Sequence, residues 1–267
     1  MISVMLRRLA FTLALAASLA AAQDFVKKRL EASPRHGEWV QVKNGSRTVH
    51  AFVVYPETSK KVPVVIAIHE NMGLTDWVRG LADQLAEAGV IAIAPDLLSG
   101  YGPNGGKTSD FASPVDARDA IGKLSADGVT SDLNAVADFA KKIPASNGKI
   151  AVAGFCWGGS NSFRFAASRA DLSAAFVFYG GPPDKDAIAR IHAPVYGFYG
   201  GSEARNTATI PDTQEKMKAA GKAYDPVAYD GAGHGFMRAG EDPEGTEPNR
   251  KARNDAWARW KTLLAKL

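Results

Sequence analysis

Residues 149–159 read Lys-Ile-Ala-Val-Ala-Gly-Phe-Cys-Trp-Gly-Gly, an apolar run that ends in a glycine-flanked cysteine. Lys149–Gly154 has the length and composition of a strand buried on both faces. Trp157–Arg169 has helical spacing, so Cys156 stands on a sharp turn from strand to helix. Gly154-x-Cys156-x-Gly158 is the G-x-S-x-G pattern of a nucleophile elbow, with cysteine in place of serine. A nucleophile on so tight a turn needs neighbours without a Cβ, or strand and helix collide. The helix N-terminus beneath it lowers a thiol pKa and aims N–H groups at a developing oxyanion. The bland alternative is a buried structural cysteine; the two glycines and the strand–helix setting favour the nucleophile.

Working outward, strands and helices alternate. Residues 38–43 and 47–55 alternate apolar and polar side chains around Asn44-Gly45, which predicts a hairpin. Val62–His69 and Val90–Pro95 are buried strands, separated by a helix over Asp76–Ala88 that uses Trp77, Leu81 and Leu85 and stops at Gly89. A Gly/Pro-rich loop follows from Leu97 to Pro114, then a helix, and a further helix over Ser131–Ile143 capped by Ser or Thr. Beyond the elbow come strands at Ala174–Tyr179, Pro194–Tyr199 and Tyr224–Tyr229, with a helix at Ile210–Ala220. A last amphipathic helix spans Asn249–Leu267 and uses Trp257, Trp260, Leu263 and Leu264. This order predicts an α/β fold in one domain over residues 23–267, its sheet mainly parallel with helices on both faces. Functional groups then gather at the carboxyl ends of the strands.

The N-terminus is read separately. Arg7-Arg8, an apolar run from Leu9 to Ala20 and the small residues Ala20-Ala21-Ala22 describe a secretory signal peptide over residues 1–22. The run falls short of the roughly 20 apolar residues that span a bilayer, so no stable membrane anchor is expected after cleavage. An uncleaved anchor is the alternative, and the Arg pair raises twin-arginine as well as general export. Removing the segment lowers Lys+Arg from 32 to 30 against 28 Asp+Glu, a net charge of +2. No basic cluster lines one face, so nucleic acid is not an expected partner. At 46% hydrophobic and 22% charged, the chain is neither disordered nor fibrous. Cys156 is the single cysteine of a chain expected in the oxidising periplasm, where it is free or pairs between molecules.

The partners of the thiol are sought at other strand ends. His234, in the loop Asp230-Gly-Ala-Gly-His-Gly-Phe236, stands where a general base can reach the nucleophile. His36, His50 and His192 fit solvated bystanders. Glu203, after the strand at 194–199, is the candidate carboxylate that orients the imidazole. Asp212 competes but falls inside the next helical pattern, and the loop onward through Arg205 reads as solvated surface. Glu70 ends the first buried strand in His69-Glu70-Asn71 and points a charge at the cleft or the solvent. The backbone N–H groups of Trp157 and Asn71 are the expected oxyanion donors. The zinc pattern H-E-x-x-H is absent, because Gly73 stands where its second histidine belongs. No metal or other cofactor is expected.

These segments resemble the dienelactone hydrolase family of α/β-hydrolases over roughly residues 38–267. The likeness is carried by IHENMGL (68–74), APDLLSG (94–100), GFCWGG (154–159), FYGGSEAR (198–205) and AGHGFMR (232–238). The resemblance implies an α/β-hydrolase fold, with Cys156 as nucleophile, His234 as base and Glu70 engaging the resting thiol until substrate displaces it. Such gating spares the thiol from oxidation. It also implies a lactone or small carboxylic ester, anionic or neutral, cleaved through a thioester. The family's triad acid is usually Asp, where this chain has Glu203. Of the family's two carboxylate-binding arginines, Arg238 matches one; Arg118 is near in sequence but does not align with the other. Two further readings compete: a degenerate hydrolase that binds an ester without turnover, and a redox-active thiol protein.

Overall fold

A computed structural model describes residues 26–267 of the chain, so the expected signal peptide at 1–22 lies outside the described residues. Eight segments build one sheet. Its strands are β1 (Gly37–Asn44), β2 (Arg47–Val54), β3 (Val62–Ile68), β4 (Ile91–Asp96), β5 (Ser146–Phe155), β6 (Leu172–Phe178), β7 (Val195–Gly200) and β8 (Tyr224–Tyr229). Their order is β1-β2-β4-β3-β5-β6-β7-β8. β2 pairs antiparallel with both β1 and β4, and the remaining neighbours are parallel. The expected hairpin is present, with Gly45 at φ +59 in the turn.

Helices cover both faces. α1 is a short helix over residues 26–31. α2 (Asp76–Glu87) and α10 (Glu247–Leu264) pack on one face against Val65, Ala67, Ala153 and Phe176. α4 (Ala126–Lys142), α5 (Trp157–Ser168) and α8 (Ile210–Ala219) pack on the other, against Val64, Ile66, Val152 and Val177. Successive residues of β3, β5 and β6 thus serve opposite cores, which is why these strands read as unbroken apolar runs.

α4 starts earlier than the spacing predicts. Ser125, not a residue near 131, is its N-cap and accepts from the Gly128 amide. Thr130 Oγ1 bonds back to the Ala126 carbonyl, so a stretch of weak helix formers is held helical by its cap and by the burial of Val129. The short helices α3 (Pro114–Ile121), α6 (Lys185–Ile188), α7 (Ala204–Thr207) and α9 (Phe236–Ala239) complete the chain. Of these the sequence pattern predicts only α3.

One aromatic stack matters for the site. Trp260 of α10 is fully buried against Phe155, Phe176 and Phe178, with ring centroids 6.0, 5.7 and 4.7 Å away. Phe178 also stacks on Phe155 at 4.6 Å and on Phe198 at 4.2 Å. The carboxyl ends of β5, β6 and β7 are therefore pinned to one another by side chains that bury about 150–250 Å² each. Among the described residues no helix is long and apolar enough to cross a membrane.

Candidate active site

Cys156 leaves β5 at φ +57 and ψ −115, a conformation that side chains other than glycine rarely adopt. The flanking glycines make the turn sterically possible. A Cβ on Gly154 would stand 1.9 Å from the Gly158 carbonyl oxygen, and one on Gly158 would stand 2.4 Å from the His69 oxygen. Strand β5, helix α5 and the end of β3 consequently touch backbone to backbone. The Cys156 amide donates to the Phe178 carbonyl at 3.0 Å, which locks the turn onto β6. Trp157, the next residue, begins α5.

The thiol is half-buried, and its pKa is raised. Burial is the larger cause and the Glu70 carboxylate the second; the Trp157 amide, Arg205 and Arg238 act in the opposite sense. Cys156 is accordingly a neutral thiol at rest. Glu70 lies just past β3 with only 5% of its surface exposed, and its Oε2 accepts from Arg238 Nε at 2.8 Å. Arg238 comes from α9, the short helix after the His234 loop. Among the described residues no hydrogen bond joins Glu70 to the sulfur, so the carboxylate acts on the thiol through its charge.

Glu203 is the N-cap of α7, and its Oε1 accepts from the Asn206 amide at 3.3 Å. Its Oε2 is buried without a hydrogen-bond partner and faces His234 Nδ1 at 3.7 Å, just beyond bonding distance. The loops carrying the two residues are stitched together by Gly201 N to Tyr229 O at 2.7 Å and Ser202 N to Ala232 O at 2.9 Å. Asn249 of α10 holds the Gly233 amide at 2.9 Å and anchors the histidine loop to the last helix. Asp212, the competing acid, pairs with Lys216 on the exposed side of α8.

Tyr179 was overlooked in the sequence. It follows β6 at φ +42, is fully buried, and meets the His234 ring in a T-shaped contact with centroids 5.1 Å apart. Its hydroxyl has no hydrogen-bond partner, and its pKa is pushed well up by burial, with Glu70 raising it further. The available signal was its place before Gly180-Gly181 at a strand end. Arg205, read as solvated surface, is indeed exposed, but its charge reaches the thiol and its Nε lies 3.8 Å from Glu203 Oε1. Arg118 sits on α3 and is not among the cations acting on Cys156. Among the described residues no group of His, Cys, Asp and Glu is placed to hold a metal ion.

The strand ends thus bring Cys156, Glu70, Arg238, Arg205 and Tyr179 within electrostatic reach of one another, with Glu203 and His234 adjoining through Arg205 and Tyr179. Comparison with known proteins gives the arrangement a lineage. Residues 49–267 match the model of the dienelactone hydrolase family. A relative from Methylorubrum extorquens, named "Putative carboxymethylenebutenolidase", is 30% identical over 225 residues, 79% of this chain and 74% of its own. A namesake from Salmonella typhimurium is 32% identical over 200 residues, 70% of this chain and 72% of its own. Among solved structures, a dienelactone hydrolase-like promiscuous phosphotriesterase from metagenomic libraries superposes with a TM-score of 0.72. It is 22% identical, covering 87% of this chain and 98% of that one, and shows the shared fold. The chain belongs to the dienelactone hydrolase family and is a carboxymethylenebutenolidase-like hydrolase with an α/β-hydrolase fold.

Proposed function

We propose that the protein hydrolyses a lactone or small carboxylic ester through a thioester on Cys156. The observation that carries this reading is the strained backbone of Cys156, φ +57 at the apex of the β5–α5 turn. Strain of this kind costs about 1–3 kcal/mol and persists where the surroundings over-determine it. The residues around it supply the chemistry. Cys156 Sγ attacks the carbonyl carbon and its proton passes to His234, which Glu203 orients through Nδ1. The N–H groups of Trp157 and Asn71 receive the oxyanion. Collapse breaks the ester C–O bond, and His234 returns the proton to the departing oxygen. A water molecule, deprotonated by His234, then attacks the thioester; the C–S bond breaks and the thiol is regenerated.

Arg238 and Glu70 tune the cycle. An anionic substrate group competes for Arg238, and any displacement of Glu70 removes a charge that, after burial, helps to keep the thiol neutral. The positive head, apolar body and small exit residues of 1–22 support export to the periplasm, which N-terminal sequencing of the protein from cell fractions tests. The deciding assay is hydrolysis of a carboxylated dienelactone and of neutral esters, with Cys156→Ala as control. Turnover that disappears in this variant supports the proposal, and equal turnover with and without the thiol overturns it.

A further inference from the structure

His69 directly follows β3, is completely buried, and has no part in the chemistry above. Both its ring nitrogens are engaged. Nδ1 lies 2.7 Å from the Glu70 carbonyl oxygen, which only accepts, so Nδ1 carries the proton. Nε2 accepts from the Leu97 amide at 3.3 Å, so it is bare. The ring is the neutral Nδ1–H tautomer, and burial lowers its pKa against the pull of Asp96 from β4. Asp96 itself is occupied by Leu98 N, Thr108 N and Thr108 Oγ1.

The Glu70 carbonyl and the Asn71 N–H are two ends of one planar peptide unit. A donor fixed on the oxygen therefore fixes the direction of the N–H, and polarises the unit so that the N–H donates more strongly. The far side of the same turn is also held. Leu74 N donates to Thr108 Oγ1 at 3.0 Å, and Gly73, at φ +77, lies so close to Thr108 that a Cβ would come within 2.2 Å of that oxygen. On its other side the His69 ring stacks on Trp157, with centroids 5.4 Å apart and planes at 11°.

We infer that His69 is the positioning residue of the Asn71 oxyanion donor. Its Nδ1–H orients the Glu70–Asn71 peptide, and its ring is itself held in place by the stack on the Trp157 side chain. The inference rests on the thiol-hydrolase reading, and the tests keep the two apart. His69→Phe retains the stack and removes both hydrogen bonds; His69→Asn retains a donor near the Nδ1 position; His69→Leu is its donor-free counterpart. Three readouts are compared: ester kcat and KM, affinity for an aldehyde that adds to the thiol as a tetrahedral adduct, and the rate of Cys156 alkylation by iodoacetamide, which forms no oxyanion.

The expectation for His69→Phe and His69→Leu is a fall in kcat of roughly 10²-fold, as for loss of one oxyanion donor. Aldehyde affinity should fall with it, while KM and the alkylation rate stay within about threefold, and His69→Asn should recover most of the loss. Folded variants with kcat and aldehyde affinity unchanged overturn the positioning role while leaving the nucleophile standing. A Cys156→Ala enzyme that still turns over fails the thiol reading instead. Nitrogen-15 imidazole NMR of the unsubstituted protein needs no variant: a protonated Nε2 at neutral pH also overturns the inference.

Discussion

Arg238 Nε donates to Glu70 Oε2 across 2.8 Å, joining α9 to the end of β3, 168 residues apart in the chain. The pair holds a carboxylate, almost fully buried, beside a thiol whose pKa that same charge helps to raise. A raised thiol pKa leaves the neutral form dominant at neutral pH, and the thiolate appears only as pH climbs past the usual cysteine range. Glu70→Gln should therefore lower the pKa of Cys156 and make alkylation by iodoacetamide several-fold faster at pH 7. In the unsubstituted protein the alkylation rate should keep rising with pH beyond that range. An unchanged rate in Glu70→Gln would remove Glu70 from control of the thiol.

Arg238, partly exposed beside Glu70, is proposed to meet an anionic substrate, with Arg205 more exposed beside Glu203. A charge-assisted hydrogen bond contributes about 1.5–3 kcal/mol. Arg238→Ala should then cost roughly 10–100-fold in kcat/KM on a carboxylated lactone and much less on a neutral ester of the same size. Equal losses on both substrates would withdraw its role in recognition.

Glu203 faces His234 at 3.7 Å with Oε2 unpaired, the position from which a small shift completes a hydrogen bond. Glu203→Gln should lower kcat by roughly 10²–10⁴-fold, because the amide no longer stabilises the imidazolium. Thermal stability should change little, since the glutamine carbonyl can still accept from Asn206 N. Full activity in this variant would refute the orienting role.

The strain at Cys156 predicts a trade between stability and activity. Cys156→Ala keeps φ +57 with a Cβ, whereas Cys156→Gly relaxes it. Both should be inactive, yet the glycine variant should be the more stable of the two by about 1 kcal/mol in urea denaturation. The reverse order would show that the turn carries no strain.

Gly154 and Gly158 make the opposite prediction. A Cβ on either meets backbone carbonyls at 1.9 and 2.4 Å, and backbone cannot rotate away as a side chain does. Gly154→Ala and Gly158→Ala should each destabilise the fold by about 3 kcal/mol or more, with loss of soluble protein on expression. A well-folded Gly158→Ala would show that α5 can stand off from β3.

Much of this protein was readable residue by residue. The apolar runs within β3, β4 and β5 announce strands buried on both faces, and β8 falls where a last strand is expected. The glycines around Cys156 announce the elbow because close approach of strand to helix leaves no room for a side chain. Local periodicity reports burial, and a tight turn reports its own backbone. Pairings between strand ends are not local. That Glu70 meets Arg238, that Glu203 caps a four-residue helix before facing His234, and that Tyr179 keeps a buried hydroxyl unpaired all follow from strand order and from how far each loop overhangs the sheet. Helices α7 and α9, each a single turn, lack enough residues to show a period and form because their loops pack. The sequence by itself determined the alternation of strand and helix, the tight turn at Cys156 and that the candidate residues follow strands; the tertiary structure decided their partners, because hydrogen bonds and charges act over a few ångströms that only the folded sheet brings together.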